Sequence, residues 1–229
     1  MKIPNKKAVF FDLDHTLWDF EKNSALAFEH ILGKNKVKVD VQQFVATHIP
    51  INNNYWKLFR DGAITQQQLR YGRLKDIFVA LDYEIDDVLI NTLSEEYIRL
   101  LPTNNHLFDG AIEVLEYLKT KYSLHIITNG FHEVQDIKMK SANIYHYFET
   151  ITNSEMAGYK KPHPAIFEYA LTAANAQKCD SIMIGDCIEA DVQGALDCGL
   201  DAIYFNEHRL EAHPSILQVN HLLELKTLL

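Results

Sequence analysis

The sequence has little with which to build a covalently stapled or metal-clipped scaffold. Its three cysteines, Cys179, Cys187 and Cys198, are an odd number with no Cys-x-x-Cys pair. That excludes a disulfide framework and a thiolate zinc site, and reads as free, mostly buried thiols of a reducing compartment. The 11 histidines show no metal-ligand spacing. Positive charge is also scarce: the net charge of −9 leaves no electrostatic footprint for nucleic acid or an anionic membrane. No apolar run approaches the roughly 20 residues of a membrane span. The N-terminal MKIPNKKAVFF has too short an apolar run for a signal-peptide core. There is no internal repeat and no low-complexity tract. The reading is a cytoplasmic globular protein.

What is present is enough for a proper core. At 229 residues with 47% hydrophobic side chains, the chain suits one domain or two small ones. Four short β-branched or aromatic runs read as buried parallel strands: Ala8 to Phe11, Leu124 to Thr128, Ser181 to Ile184 and Ala202 to Phe205. Glu149 to Thr152 is a weaker fifth. Helical patterns alternate with them at Ala111 to Lys121, His132 to Ala142, Pro164 to Ala174 and Asp191 to Cys198. This alternation predicts an α/β fold, a doubly wound parallel sheet with helices on both faces. From about Asp19 to Leu100 the periodicity is helical only. Ser24 to Leu32 reads as a helix stopped by Gly33, Thr65-Gln-Gln-Gln68 as a capping box opening a helix to about Leu81, and Asp86 to Leu100 as a third helix. The expected organisation is a core of residues 1–18 and 101–229, interrupted by a helical domain, 19–100.

In an open parallel sheet, ligands bind beyond the carboxyl ends of the strands. The residues at those ends are Asp12 and Asp14; Thr128, Asn129 and Gly130; Asp186 and Asp191; and, on the loop before Pro164, Lys160 and Lys161. Crowded carboxylates repel one another unless a cation neutralises them. Oxygen-only ligands select a hard ion, and Mg²⁺ fits best. Such an ion with a lysine, a hydroxyl and free backbone N–H groups suits the charge of a phosphoryl group. Asp12 can then attack phosphorus, as carboxylates do in aspartyl-phosphate chemistry. Asp14, two residues on, can protonate the leaving oxygen and later take a proton from water.

Four stretches in this order, FDLDHT, ITNG, KKPHPAIF and GDCIEAD, resemble the motifs of the haloacid dehalogenase superfamily phosphatases, and the resemblance spans nearly the whole chain. It implies a Rossmann-like core with an inserted C1-type helical cap that closes over the site. It implies that Asp12 is nucleophile and Mg²⁺ ligand, and that Asp14 is acid/base with its backbone carbonyl on the metal. Thr128 would hold the phosphoryl group with Asn129 and Gly130. Lys161, immediately before Pro162, would neutralise the charge. Asp186 would bind Mg²⁺, and Asp191 would orient Lys161 or a metal-bound water from outside the coordination sphere. Without the resemblance, Asp191 has an alternative reading as the cap of the helix that follows it, and Trp18, Phe20, Tyr55 and Trp56 read as core or as the lining of a base pocket.

Dehalogenases of the superfamily need no acid two residues after the nucleophile, so Asp14 favours phosphate chemistry. Signalling receivers are shorter and lack both the insert and that acid. A silent binder on the same fold would not need every catalytic position filled. Among phosphatases, Asp61-Gly-Ala-Ile-Thr65, Gly72-Arg73, Ile127-Thr-Asn-Gly-Phe131 and Asn206 with His208-Arg209 resemble the pyrimidine 5′-nucleotidases acting on non-standard pyrimidine nucleotides. The expected partner is a small phosphomonoester, a nucleoside monophosphate; the alternative is phosphoglycolate or a small sugar phosphate.

Overall fold

β1 (Ala8–Phe11) is an unbroken apolar run, and all four residues are buried. A strand apolar on both faces belongs in the middle of a covered parallel sheet. The computed structural model, which describes residues 3–229, puts it there. Met1 and Lys2, at the start of the expected core segment, lie outside the described residues. After β1 the chain makes a tight turn in which His15 takes the left-handed φ of 61°, rare for a side chain with a Cβ. It then leaves the sheet and returns alongside itself, with Asp19 N–H donating to His106 O at 3.1 Å and Phe108 N–H to Leu17 O at 3.0 Å.

The helices between are α1 (Phe20–Lys34), α2 (Val41–Arg60), α3 (Gln66–Ala80) and α4 (Asp87–Leu100). α1 runs through Gly33 instead of stopping there; the left-handed residue that ends it is Lys36, at φ 56°. α3 opens on the expected reciprocal cap of Thr65 and Gln68. α2 was not foreseen. Asp40 caps it by accepting from Gln43 N–H, and its buried face, Phe44, His48 and Asn52, follows the helical i, i+4, i+8 row. Phe28 is the hub of this unit, stacked on Tyr97 at 4.4 Å and tilted against Phe44 at 4.9 Å. The unit extends over Phe20–Asn104. Its far limit lies beyond Leu100 because the turn Leu101–Thr103 packs on α1 and α4.

The second unit holds the chain up to Asp19 and again from Asn105 to Leu229. It continues with α5 (Ala111–Leu118), β2 (Ser123–Thr128), α6 (His132–Ser141), β3 (Thr150–Asn153), α7 (Ser154–Ala157), α8 (Pro164–Ala173) and β4 (Ser181–Gly185). A wide π-type turn, Ile188–Gln193, leads into α9 (Gly194–Asp197), then β5 (Asp201–Phe205), the short β6 (Gln218–Val219) and α10 (Leu225–Leu228). Among the described residues the sheet has six strands in the order β3-β2-β1-β4-β5-β6, every neighbouring pair parallel. The register sets Phe11 beside Ile126 on β2 and Ile184 on β4. Strand order reverses at β1, which makes its carboxyl end the switch point where an open sheet receives a ligand.

Candidate active site

Asp12 follows β1 directly, and its backbone N–H still donates to Ile184 O at 2.9 Å. Its position is therefore as fixed as the sheet. Lys161 reaches it from the loop before α8: Nζ lies 2.6 Å from Asp12 Oδ1, 2.7 Å from Asp191 Oδ1 and 2.7 Å from Ile127 O. Two of the three ammonium hydrogens go to Asp12 Oδ1 and Ile127 O, and Asp191 Oδ1 makes an ion-pair contact. Asn129 pins the Lys161 backbone from both sides, donating from Nδ2 to Lys161 O at 3.0 Å and accepting Lys161 N–H on Oδ1 at 2.7 Å. Its side chain thus serves the lysine loop. Of Lys160 and Lys161, Lys161 is the buried member, 2% exposed.

Asp186 leaves the end of β4 and accepts from Thr16 Oγ1 at 3.2 Å. Asp191 sits inside the wide turn, whose N-terminal cap is Cys187, so Asp191 is not the cap of that helix. Its Oδ2 accepts Cys187 N–H at 3.0 Å while its Oδ1 faces Lys161. Gly185 makes room for it, since a Cβ there would lie 2.3 Å from Asp191 Oδ2. Gly194 is likewise a packing glycine, closed in by Pro162 and Phe167.

Carboxylate oxygens of Asp12, Asp186 and Asp191 all lie within 4.8 Å of one another. Three carboxylates against one lysine leave two negative charges in a mostly buried cluster. The electrostatics reflect that surplus. Burial, then Asp191 and Asp186, push the Asp12 carboxyl well above its usual range against the pull of Lys161. Burial and the Asp191 charge push Asp186 up to about 8. For Lys161, burial works against the charge, but Asp12 and Asp191 outweigh it and hold the ammonium protonated. A divalent cation cancels the surplus, and an all-oxygen donor set suits a hard one. Asp12, Asp186 and Asp191 each have a carboxylate oxygen within reach of such an ion, and Asp191 also contacts Lys161 and Cys187 N–H.

Asp14 points to a different set of partners. Its Oδ1 lies 2.5 Å from Lys138 Nζ and its Oδ2 accepts from Gln135 Nε2 at 3.0 Å. Gln135 Nε2 also donates to Thr128 Oγ1 at 2.7 Å, and Gly130 N–H donates to the same oxygen at 3.1 Å. With both lone pairs of the Thr128 hydroxyl occupied, its one hydrogen is left to donate outward. Gly130 is adjacent for a steric reason: a Cβ on it would lie 2.2 Å from Gln135 Nε2. The fold thus brings Asp12, Asp14, Thr128, Lys161, Asp186 and Asp191 to one sheet end. Gln135 and Lys138 join them unforeseen from the sequence. A signal was there: the buried face of α6 is Val134, Gln135, Lys138 and Met139, so two polar side chains occupy positions of an apolar stripe. Trp18 is wholly buried, its ring 4.4 Å from Lys138 Nζ. No helix among the described residues is long and apolar enough to cross a membrane.

A doubly wound sheet carrying a carboxylate–lysine–hydroxyl cluster at its switch point is an arrangement that suits nucleophilic hydrolysis by a carboxylate. The chain belongs to the haloacid dehalogenase-like hydrolases, whose family profile matches residues 6–199. Among curated relatives it is 31% identical to the pyrimidine 5′-nucleotidase PynA of Streptococcus pneumoniae, over 90% of this chain and 86% of that one. It is 30% identical to the pyrimidine 5′-nucleotidase YjjG of Escherichia coli, over 96% of each, and 29% identical to a glyceraldehyde 3-phosphate phosphatase of Methanothermobacter thermautotrophicus, over 94% and 92%. Its structure resembles that of the HAD-hydrolase YfnB of Bacillus subtilis, solved bound to magnesium, with TM-score 0.87, 26% identity and coverage of 97% and 98%.

Proposed function

We propose that the protein is an Mg²⁺-dependent phosphomonoesterase that hydrolyses pyrimidine nucleoside 5′-monophosphates through a phosphoryl-aspartate at Asp12. In the first half-reaction an Asp12 carboxylate oxygen forms a bond to phosphorus. The P–O ester bond breaks, and the leaving alcohol takes its proton from Asp14. In the second, Asp14 accepts a proton from water as that water bonds to phosphorus, which releases inorganic phosphate and restores Asp12. Lys161, held by three contacts, offsets charge on Asp12 and the transferring group. Thr128 donates its one free hydrogen to a phosphoryl oxygen. Asp12, Asp186 and the Asp14 backbone carbonyl would hold the cation, which would supply the remaining charge cancellation. Asp191 orients Lys161.

The observation that carries the phosphatase chemistry is the pair of carboxylates two residues apart with separate surroundings. Asp12 is tied to Lys161, and Asp14 to Lys138 and Gln135. The pyrimidine specificity is supported by the two nucleotidases among the relatives. A triose phosphate is the rival, from the 29% identical relative. The test is a panel with Mg²⁺ of uridine, deoxyuridine, thymidine, adenosine and guanosine monophosphates, a 5-substituted deoxyuridine monophosphate, phosphoglycolate and glyceraldehyde 3-phosphate. Pyrimidine nucleotides are expected to lead the purine nucleotides in kcat/KM by at least about tenfold, about 1.4 kcal/mol of transition-state binding. A leading rate on phosphoglycolate or the triose phosphate overturns the nucleotidase reading.

A further inference from the structure

α6 places Gln135 and Lys138 three residues apart, therefore on one helix face, and both are buried, 1% and 3% exposed. A buried ammonium or amide is costly unless its hydrogens are satisfied. Here they are spent on the two groups that the proposed mechanism needs to hold still. Lys138 takes one oxygen of Asp14. Gln135 takes the other and, with its second hydrogen, the Thr128 hydroxyl. The Trp18 ring walls the ammonium from another side, 4.4 Å away.

The arrangement has direction. Gln135 Oε1 is buried and finds no hydrogen-bond donor. Exchanging the amide oxygen and nitrogen would set that oxygen against the Asp14 carboxylate, so the unpartnered atom is the cost of aiming both N–H groups at Asp14 and Thr128. Each carboxylate oxygen has two lone-pair sites, so both Asp14 oxygens can be held while sites remain to carry a proton. A pair serving stability alone has no need of this: buried ion pairs are often replaced by apolar side chains without loss.

We propose that Gln135 and Lys138 are positioning residues for the hydrolysis. Together they fix the Asp14 carboxylate in the orientation that exchanges protons with leaving group and water, and Gln135 ties that orientation to the Thr128 hydroxyl. The inference rests on the acid/base role of Asp14. The test is a double-mutant cycle on p-nitrophenyl phosphate with Mg²⁺, combining Lys138→Met or Gln135→Met with Asp14→Asn. Each single α6 variant is expected to lower kcat by about 30- to 100-fold without raising KM, which falls where the phosphoryl-enzyme accumulates; 100-fold is about 2.7 kcal/mol. In the Asp14→Asn background the same changes are expected to cost less than about threefold more, because residues acting through one carboxylate do not add. If Lys138→Met does not fold, Gln135→Met, which removes no charge, carries the cycle. Variants with near-wild-type kcat, a loss confined to KM, or full additivity on Asp14→Asn overturn the proposal. A wild-type protein inert towards this ester, or an Asp14→Asn protein as fast as wild type, instead overturns the mechanism beneath it.

Discussion

The surplus charge at the sheet end would link the proposed divalent-cation binding to pH, and the size of the effect follows from Asp186. Its folded pKa is raised from 3.8 to about 8, so the folded cation-free protein holds this proton more tightly than the unfolded chain does. Its contribution to stability is fully present below about pH 4 and is lost as pH rises through about 8. About four pH units at about 1.4 kcal/mol each set a ceiling near 6 kcal/mol; Asp186 is partly open to water, and solvent screening reduces this to about 3 kcal/mol. A cation seated on the ionised carboxylates restores that loss, so its stabilisation must grow over the same window. At 2–4 °C per kcal/mol for a chain of this size, and with three of the four pH units covered, saturating Mg²⁺ is expected to raise Tm by about 4–9 °C more at about pH 8 than at about pH 5. The assay is thermal unfolding with Mg²⁺ or chelator at matched ionic strength, repeated on Asp186→Asn, which should lose most of the pH dependence. An Mg²⁺ shift equal at both pH values, or one unchanged in Asp186→Asn, would refute the reasoning.

Asp12→Asn should lower turnover by at least about 10⁴-fold and yet raise the Tm of the cation-free protein, since it removes one of three carboxylates sharing Lys161; a lower Tm contradicts the charge accounting. Gly185→Ala would drive a Cβ to within 2.3 Å of Asp191 Oδ2 and should cost about 1–3 kcal/mol in denaturant unfolding, with a loss of kcat; a neutral result would mean that Asp191 moves freely. His125 is wholly buried on β2, stacked on Phe10 at 4.9 Å, and burial depresses its pKa to about 4. Its contribution is present above about pH 6.5 and lost as pH falls towards 4, about 3 kcal/mol in all. The stability difference between wild type and His125→Phe should therefore widen across that range and be flat above it.

How much of this was legible in the sequence depended on whether a residue's role is local. β1, β2, β4 and β5 could be placed because each carries an unbroken apolar run of the kind a strand buried on both faces needs, as in AVFF and the Ile182-Met-Ile184 of SIMIG. The carboxylates could be placed because parallel strands end on one rim. α2 escaped because Pro50 and the run Asn52-Asn53-Asn54 read as breakers, whereas in the folded unit Asn52 faces inward and accepts from Arg73 Nη1 at 2.9 Å. β6, two residues long, carries no periodicity to detect. The helix expected from Asp191 begins earlier, at Ile188, as a wide turn that folds Asp191 back onto Cys187 N–H; no propensity encodes that. Gln135 and Lys138 were not singled out in the sequence because their partners, Asp14 and Thr128, come from elements remote in the chain. Gly130 looked like part of a phosphate loop; its contact with Gln135 becomes visible only in three dimensions.

The central claim is that Asp12 carries the phosphoryl group, and trapping that acyl phosphate tests it most directly. Asp14→Asn protein should be mixed with p-nitrophenyl phosphate and Mg²⁺, quenched in acid, reduced with borohydride and mapped by peptide mass spectrometry. Because p-nitrophenolate leaves without help from an acid while water still needs a base, the intermediate should accumulate in this variant. The account predicts homoserine at position 12. Released p-nitrophenol with Asp12 unmodified, or reduction at another carboxylate, would contradict it.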